Sequence, residues 1–185
     1  MIHVNDLKTG ITFKHEDQIY LVLEFLHVKP GKGPAFMRAK LKNLRSGATI
    51  EKTFNTNIKF EKANIQKLPM QYLYQSGNRY HFMNMETYEQ IDLGEEQIEE
   101  SKKFLKEGLD LNINFYNNEV LDVQLPEKIS YLVIETESVV KGNTVNNTNK
   151  EAKLENDLIV KVPMFIKTDD IILVSTKTGQ YDSRA

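Results

Sequence analysis

Short runs of alternating apolar and polar residues, separated by tight turns, dominate the first third of this chain. Residues 36–42 and 49–54 alternate at period two, as do residues 19–25. In residues 19–25 the pattern puts Ile19, Leu21, Leu23 and Phe25 on one face and Tyr20, Val22 and Glu24 on the other. Period-two alternation is typical of half-buried strands, and several short strands in about 60 residues indicate a small β-barrel.

After residue 68 the strand pattern restarts with an aromatic hairpin. Tyr72, Tyr74, Tyr80 and Phe82 alternate across the turn 76–79. Residues 95–106 predict one helix, because acidic residues crowd the first turns, lysines follow, and a glycine at 108 ends the run. With strands predicted over 109–116 and 119–125, the order of elements is that of an OB-type barrel.

The last third of the chain is again rich in strand signals. Residues 129–140, 158–166 and 171–176 predict strands, and the polar stretch 141–156 predicts a long exposed loop. We therefore expect an elongated all-β chain with one or two short helices, built from three units that stabilise one another by packing. The expected boundaries are 1–63, 64–126 with helix 95–106, and 127–185.

The loop Pro30-Gly31-Lys32-Gly33-Pro34 joins two of the alternating runs. The glycines permit positive φ and leave no side chain to obstruct a close surface, and the prolines stiffen the ends of the loop. Lys32 is therefore predicted to stand at the tip of a rigid hairpin, as a point charge suited to a phosphate. The alternative is an ordinary exposed lysine in a turn.

Charge is distributed unevenly along the chain. The net charge is −2, yet residues 1–62 hold 11 basic against 6 acidic side chains, whereas residues 63–126 hold 5 against 11. No acidic residue lies between Glu24 and Glu51, an interval that contains Lys29, Lys32, Arg38, Lys40, Lys42 and Arg45. The asymmetry predicts one basic face for a polyanion. A solvated basic strand pair explains the charges equally well.

Several classes of catalytic site are excluded or unsupported. The chain has no cysteine, and its four histidines lack the spacing of metal ligands. Lys32 is followed by Gly33 and Pro34, which open a strand, whereas a phosphate-binding loop needs Gly-Lys-Ser/Thr at the start of a helix. An imine-forming lysine needs a desolvated pocket, which a protruding tip does not offer. We expect no enzymatic activity, no metal and no cofactor.

Two further features have simple interpretations. The tyrosines at 72, 74 and 80 are able to stack nucleobases, but core packing is the favoured interpretation. No apolar run approaches the about 20 residues of a membrane span, and residues 1–10 lack the apolar core of a signal peptide. We therefore expect a cytoplasmic protein that does not bind membranes.

Motifs spread along the whole chain resemble the bacterial translation elongation factor P family. The tip motif is His27-Val28-Lys29-Pro30-Gly31-Lys32-Gly33 followed by Ala35-Phe36. Further matching motifs are Glu51-Lys52-Thr53-Phe54, Met70-Gln71-Tyr72-Leu73-Tyr74, Val162-Pro163-Met164-Phe165-Ile166 and Thr178-Gly179-Gln180-Tyr181-Asp182-Ser183-Arg184. Their occurrence in the same order makes the resemblance specific.

The resemblance implies a fold and a function. It implies an SH3-like (KOW-type) barrel followed by two OB-fold barrels, in an L-shaped, tRNA-like arrangement. It also implies a monomeric factor that binds both ribosomal subunits between the P-site and E-site tRNAs and promotes peptide-bond formation at consecutive prolines. Its partners are then the ribosome, its rRNA and the P-site peptidyl-tRNA, whose CCA end the tip approaches.

The resemblance also indicates site residues. Lys32 is the functional tip and candidate modification site, with a lysine-modifying enzyme as a further candidate partner. The flanking Pro30 and Pro34 favour a tip that works without modification. The predicted contacts to tRNA or rRNA are Lys29, Arg38, Lys40, Lys42, Arg45, Asn143, Thr144, Tyr181 and Arg184. Asn143 and Asn156 stand where Asp and Gly are common in the family, which leaves the contacts of the 142–144 loop open.

The sequence allows three alternative functions. One is an OB-fold single-stranded nucleic-acid-binding protein without a ribosomal role, although the acidic middle unit disfavours it. Another is an enzyme that uses Lys32 as a nucleophile. The third is a paralogue of the family found in some bacteria, which the lysine tip and the Tyr-x-Ser-Arg ending disfavour.

Overall fold

The computed structural model describes residues 1–138 and 149–185. These residues form sixteen β-strands in three sheets and three 3-10 helices of three residues each, with no α-helix among them. The predicted all-β class with short helices is confirmed. No helix in the described ranges is long and apolar enough to span a membrane.

The first sheet has six strands in the order β1-β6-β2-β3-β4-β5. They are β1 Ile2–His3, β2 Thr12–His15, β3 Gln18–Val28, β4 Phe36–Asn43, β5 Thr49–Asn55 and β6 Lys59–Lys62, and the 3-10 helix Val4–Asp6 follows β1. Its core is built around three aromatic rings. Phe60 lies 4.4 Å from Phe13 and 5.0 Å from Phe54, measured between ring centroids.

A bulge in β3 changes the predicted alternation of that strand. Tyr20 and Val22 enter the main core, whereas Ile19 lies in a separate buried cluster with Ala63 and Leu121. The register with β4 shifts between Val22 and Glu24. Because an extra residue at a bulge exchanges the two faces of a strand, the single alternation predicted for residues 19–25 is wrong beyond that point.

The second sheet has five strands in the order β11-β10-β7-β8-β9. They are β7 Gln66–Ser76, β8 Arg79–Asn84, β9 Gln90–Gly94, β10 Asp110–Tyr116 and β11 Glu119–Gln124. The predicted hairpin turns at 76–79 and 117–118 are confirmed. Asn117 and Asn118 both have positive φ, as a type I′ turn requires. Tyr72 and Tyr80 lie in the core, as the favoured interpretation held, whereas Tyr74 is 45% exposed and stacks on His81.

The third sheet also has five strands, in the order β14-β13-β12-β15-β16. They are β12 Lys128–Thr136, β13 Asn149–Leu154, β14 Ile159–Pro163, β15 Ile171–Ser175 and β16 Tyr181–Arg184. The loop predicted over 141–156 is wrong for 149–154, which pair with both β12 and β14. Lys150 alternates inward with Ala152 and Leu154, and its ammonium donates to the carbonyl of Glu137 at 2.7 Å. An aliphatic stem with a satisfied ammonium is thus compatible with a buried position.

The chain divides into two compact units, residues 1–68 with 113–122, and residues 69–112 with 123–185. The three-domain division at residues 63 and 126 stays a prediction.

The single helix predicted over 95–106 is wrong. Two 3-10 helices, Glu95–Gln97 and Lys102–Phe104, stand in its place. The amides of Ser101 and Lys102 both donate to the carbonyl of Ile98, so the chain makes a turn over residues 98–102, between the two 3-10 helices. In a continuous helix, Lys102 would lie on the apolar stripe of Ile98 and Leu105; the turn lets it pair with Glu95 instead.

Side chains of the third sheet donate to carbonyls at the end of this segment. Asn156 donates to the carbonyl of Lys103 at 2.9 Å, and the hydroxyl of Tyr131 donates to the carbonyl of Phe104. Tyr131 is fully buried, and burial raises the pKa of its hydroxyl, which therefore stays a donor. These bonds hold residues 102–105 against the third sheet within the second compact unit.

Replacing Tyr131 with phenylalanine tests this contact. Tyr131→Phe leaves the carbonyl of Phe104 without its donor in a buried site, so we expect the free energy of unfolding in urea to fall by about 1–3 kcal/mol. Tyr80→Phe is the matched control, because the Tyr80 hydroxyl bonds no described residue. Equal losses in the two variants would show that the hydrogen bond does not stabilise the unit.

Candidate functional site

The hairpin of β3 and β4 carries Lys32 at its end. The last pair of the ladder is Val28 with Phe36, so residues 29–35 form the connecting loop. Lys32 and both neighbouring glycines are exposed, as predicted. The strands position the loop because β4 also pairs with β5 along its length, from Phe36 with Asn55 to Lys42 with Thr49.

The conformation of the loop depends on one of its two glycines. Gly33 has a φ of +112°, a value that L side chains rarely adopt, whereas Gly31 is not in the positive-φ region. A Cβ built on Gly33 would lie 4.0 Å from the Pro30 ring, so space is not the constraint. Glycine is needed at residue 33 for its backbone and not for its size.

Three predicted contact residues lie on the exposed face of β4. Arg38, Lys40 and Lys42 alternate with the buried Met37, Ala39 and Leu41, as the sequence pattern predicts. The three cations differ in their neighbours across the sheet, which are Glu24 and Glu51 for Lys40, Leu26 and Thr53 for Arg38, and Leu21 and Thr49 for Lys42.

These neighbours decide which charges are available to a polyanion. The Lys40 ammonium lies 3.9 Å from the Glu24 carboxylate. Within residues 1–138 and 149–185, Lys29, Lys32, Arg38 and Lys42 form no ion pair. Of these four cations, Lys29, Lys32 and Arg38 lie at or near the tip, and Lys42 lies at the far end of β4.

Arg45 forms a bidentate ion pair with Glu119. Its Nε and Nη2 donate to the two carboxylate oxygens, each at 2.8 Å, and its Nη1 donates to the carbonyl of Asp17. The hydrogen bonds from Arg45 hold the pKa of Glu119 below its ordinary value. The guanidinium thus links three segments of the first unit, and its predicted contact with RNA stays a prediction that requires a change of partner.

Two predicted contact residues near the end of the chain lie on the third sheet. Tyr181 and Arg184 belong to β16, and Arg184 donates to Asp170 at 2.9 Å. Asn143 and Thr144 lie outside the described residues. In the part of the chain that the structure describes, no three His, Asp or Glu side chains are grouped as metal ligands.

A groove at the base of the tip loop was missed by sequence reasoning. It has a volume of about 490 Å³, and its lining includes Asn5, His27, Phe36 and Thr56. Asn5 and Thr56 have no motif around them, and they come together only in the folded chain, where the amide of Val4 donates to the carbonyl of Ile58. The lining residues that carried a signal in the sequence belong to the tip motif, which contains His27, Phe36 and the predicted RNA contact Lys29.

The chain matches three family models over nearly its whole length. They are the elongation factor P KOW-like domain at residues 3–60, the elongation factor P OB domain at residues 65–123 and the elongation factor P C-terminal domain at residues 129–184. The first sheet is accordingly KOW-like, and the other two are OB-like.

Full-length relatives and solved structures agree with these matches. Elongation factor P of Phytoplasma australiense is 53% identical over 100% of this chain and 98% of its own length, and that of Moorella thermoacetica is 44% identical over 100% of both chains. Eukaryotic translation initiation factor 5A from Methanococcus jannaschii aligns with a TM-score of 0.51 at 24% identity, covering 66% of this chain and 92% of its own. A translation initiation factor 5A family protein from Naegleria fowleri aligns with a TM-score of 0.51 at 20% identity, covering 67% and 96%. These two structures show likeness of fold alone.

The two glycines of the tip loop predict different responses to the same substitution. Gly33→Ala forces a side chain into a strained φ, so we expect the free energy of unfolding to fall by about 1–3 kcal/mol. Gly31→Ala adds the same methyl group where nothing lies within 4 Å, and it is expected to be neutral or to stabilise by up to about 1 kcal/mol. Urea unfolding of both variants measures the difference, and equal values would contradict the backbone argument.

The Arg45–Glu119 pair predicts a pH-dependent contribution to stability. The folded pKa of Glu119 is lowered, so the contribution is complete above the ordinary value of 4.5 and is lost as the pH falls through the folded pKa. Both side chains are partly exposed, so Glu119→Gln should cost about 1 kcal/mol or less at neutral pH.

Urea unfolding of wild type and Glu119→Gln at decreasing pH measures this loss. The two free energies are expected to converge below pH 4.5. Glu61→Gln is the control, because Glu61 is exposed and forms no ion pair with a described residue. A difference that persists in acid would contradict the electrostatic origin.

Proposed function

The chain belongs to the elongation factor P family of translation elongation factors, and from this we propose that it binds the ribosome between the P- and E-site tRNAs and stimulates peptide-bond formation at consecutive prolines. The observation that carries the proposal is Lys32, an exposed cation at the end of the β3–β4 hairpin. We propose that Lys32 positions the CCA end of the peptidyl-tRNA. The factor is not an enzyme, and the ribosome remains the catalyst.

Positioning explains how such a factor accelerates a reaction without covalent chemistry. Proline is a constrained secondary amine and a poor acceptor, so the geometry of the two reacting ends limits the rate. Holding a reactant in the productive geometry removes part of the entropic barrier. A loop that is already stiff loses little conformational entropy when it docks, and Pro30 and Pro34 supply that stiffness because each fixes its own φ.

The remaining cations supply affinity in this proposal. Lys29, Arg38 and Lys42 form no ion pair in the described chain, so they contact phosphates of tRNA or rRNA without first losing a carboxylate. Lys40, Arg45 and Arg184 have carboxylate partners that RNA must replace. The proposed contacts in the third domain are Asn143, Thr144, Tyr181 and Arg184.

The proposal includes the organisation and location of the factor. We propose three domains, with boundaries at 63 and 126, in a monomer that works in the cytoplasm. We also propose that Lys32 acts without an added group, because Pro30 and Pro34 already restrict its position. The intact mass of a loop peptide from native cells tests this last point, since an added group would contradict it.

Removing the tip cation tests the central proposal. Lys32→Ala leaves the core untouched, so the unfolding transition should not change, while synthesis through a Pro-Pro-Pro reporter should fall by roughly tenfold or more. Synthesis of a reporter without proline runs should be unaffected.

A second lysine provides the control. Lys59→Ala removes an exposed cation from β6 of the same unit, where the hairpin is not involved, and should retain full activity on the proline reporter. Full activity of Lys32→Ala on that reporter would refute the proposed role of the tip.

A further inference from the structure

The groove at the base of the tip loop is assembled from three segments of the first unit. The 3-10 helix after β1 supplies Asn5, the β3–β4 hairpin supplies His27, Lys29 and Phe36, and the turn after β5 supplies Thr56. Its volume of about 490 Å³ is within the range of small-ligand sites. A single nucleotide fits a groove of this size, whereas a base-paired duplex does not.

Backbone contacts hold the walls of the groove in place. The amide of Val4 donates to the carbonyl of Ile58 at 3.0 Å. The amide of Ile58 in turn donates to the carbonyl of Asn55 at 3.2 Å. Val4 is fully buried, and Asn55 pairs with Phe36 across the sheet. The groove is therefore preformed, so a ligand would not have to order its walls.

The side chains in the groove match the parts of an unpaired nucleotide. His27 supplies an aromatic surface on which a base stacks, and it is supported by an edge contact with Phe25 at 5.8 Å. The Asn5 amide offers both a donor and an acceptor to a base edge, and the Thr56 hydroxyl offers the same. Neither side chain bonds another residue within 1–138 or 149–185.

The charge of the groove favours an anionic ligand over a basic protein segment. Lys29 is the only charged residue of its lining, and it forms no ion pair in the described structure. Residues 1–62 carry 11 basic against 6 acidic side chains. A cation beside an aromatic surface, here Lys29 beside His27, is the usual combination in sites for single-stranded nucleic acid.

We propose that this groove binds one unpaired nucleotide of the tRNA 3′ end, with its base against His27, its base edge on Asn5 and Thr56, and its phosphate on Lys29. The proposal rests on the proposed function, because it takes the RNA end that Lys32 approaches as the occupant. Binding in the groove adds recognition of a base to the electrostatic attraction between Lys32 and the RNA.

An NMR titration of the ¹⁵N-labelled full chain tests the groove directly. The trinucleotide CCA should shift the amides of Asn5, His27 and Thr56, whereas ribose 5-phosphate, which lacks a base, should shift only amides near Lys29. His27→Ala should weaken CCA binding about fivefold or more, as expected for a lost stacking surface. Asn5→Ala should weaken it by a similar factor, since a base edge loses its partner.

Asn57→Ala is the matched control for Asn5→Ala, because Asn57 is exposed next to Thr56 but does not line the groove. It should bind CCA like the wild type, and unchanged spectra away from the groove confirm folding of each variant. The proposal is wrong if millimolar CCA shifts none of the three amides. It is also wrong if affinity depends on Lys29 but not on His27 or Asn5, since that result means attraction by charge alone.

The proline reporter separates failure of this proposal from failure of the proposed function. If Asn5→Ala and His27→Ala are fully active while Lys32→Ala is not, the nucleotide groove is wrong and the role of the tip stands. If Lys32→Ala is fully active, the proposed function fails, whatever the affinity of the groove for CCA. Reduced activity of all three variants, with wild-type activity of Asn57→Ala, supports both.

Discussion

The antiparallel ladder between β3 and β4 is the interaction on which the first unit depends. It begins in the core, where Tyr20 and Val22 are buried, and ends at Val28 and Phe36, beyond which only the loop remains. Pairing of β4 with β5 supports the ladder along its length. Since the barrel buries the near half of β3 and leaves Phe25 and Leu26 exposed, the hairpin extends from a fixed base.

The bulge in β3 separates the half of the strand that packs in the core from the half that presents His27 to the groove. Before the bulge, the inward residues of β3 belong to the core; after it, the strand presents His27 on the face that it shares with Met37. A bulge re-aims side chains without ending the pairing. The same strand therefore anchors the unit at one end and contributes to the groove at the other.

Carboxylates pair with some of the basic residues and leave others available. Glu119 holds Arg45, and Glu24 lies beside Lys40, whereas Arg38 is flanked by Leu26 and Thr53. Exposed pairs of this kind add little stability, so their main effect is on where positive charge remains. In the described structure, Arg38 on the half of the hairpin nearest Lys32 keeps its charge unpaired, which is consistent with the proposed contact with an RNA end.

The sequence by itself determined the features that depend on neighbouring residues. The alternation of β4, the turn at Asn117 and Asn118, and the loop around Lys32 all follow from local chemistry, and the ordered motifs identified the family. The tertiary structure decided what depends on distant partners. Residues 95–106 form two short 3-10 helices, and Asn156 and Tyr131 donate to the carbonyls of residues 103 and 104 from the third sheet. The partner of Arg45 and the meeting of Asn5 with Thr56 were likewise decided only in the folded chain, because no local pattern encodes a contact between residues about 50 or more positions apart.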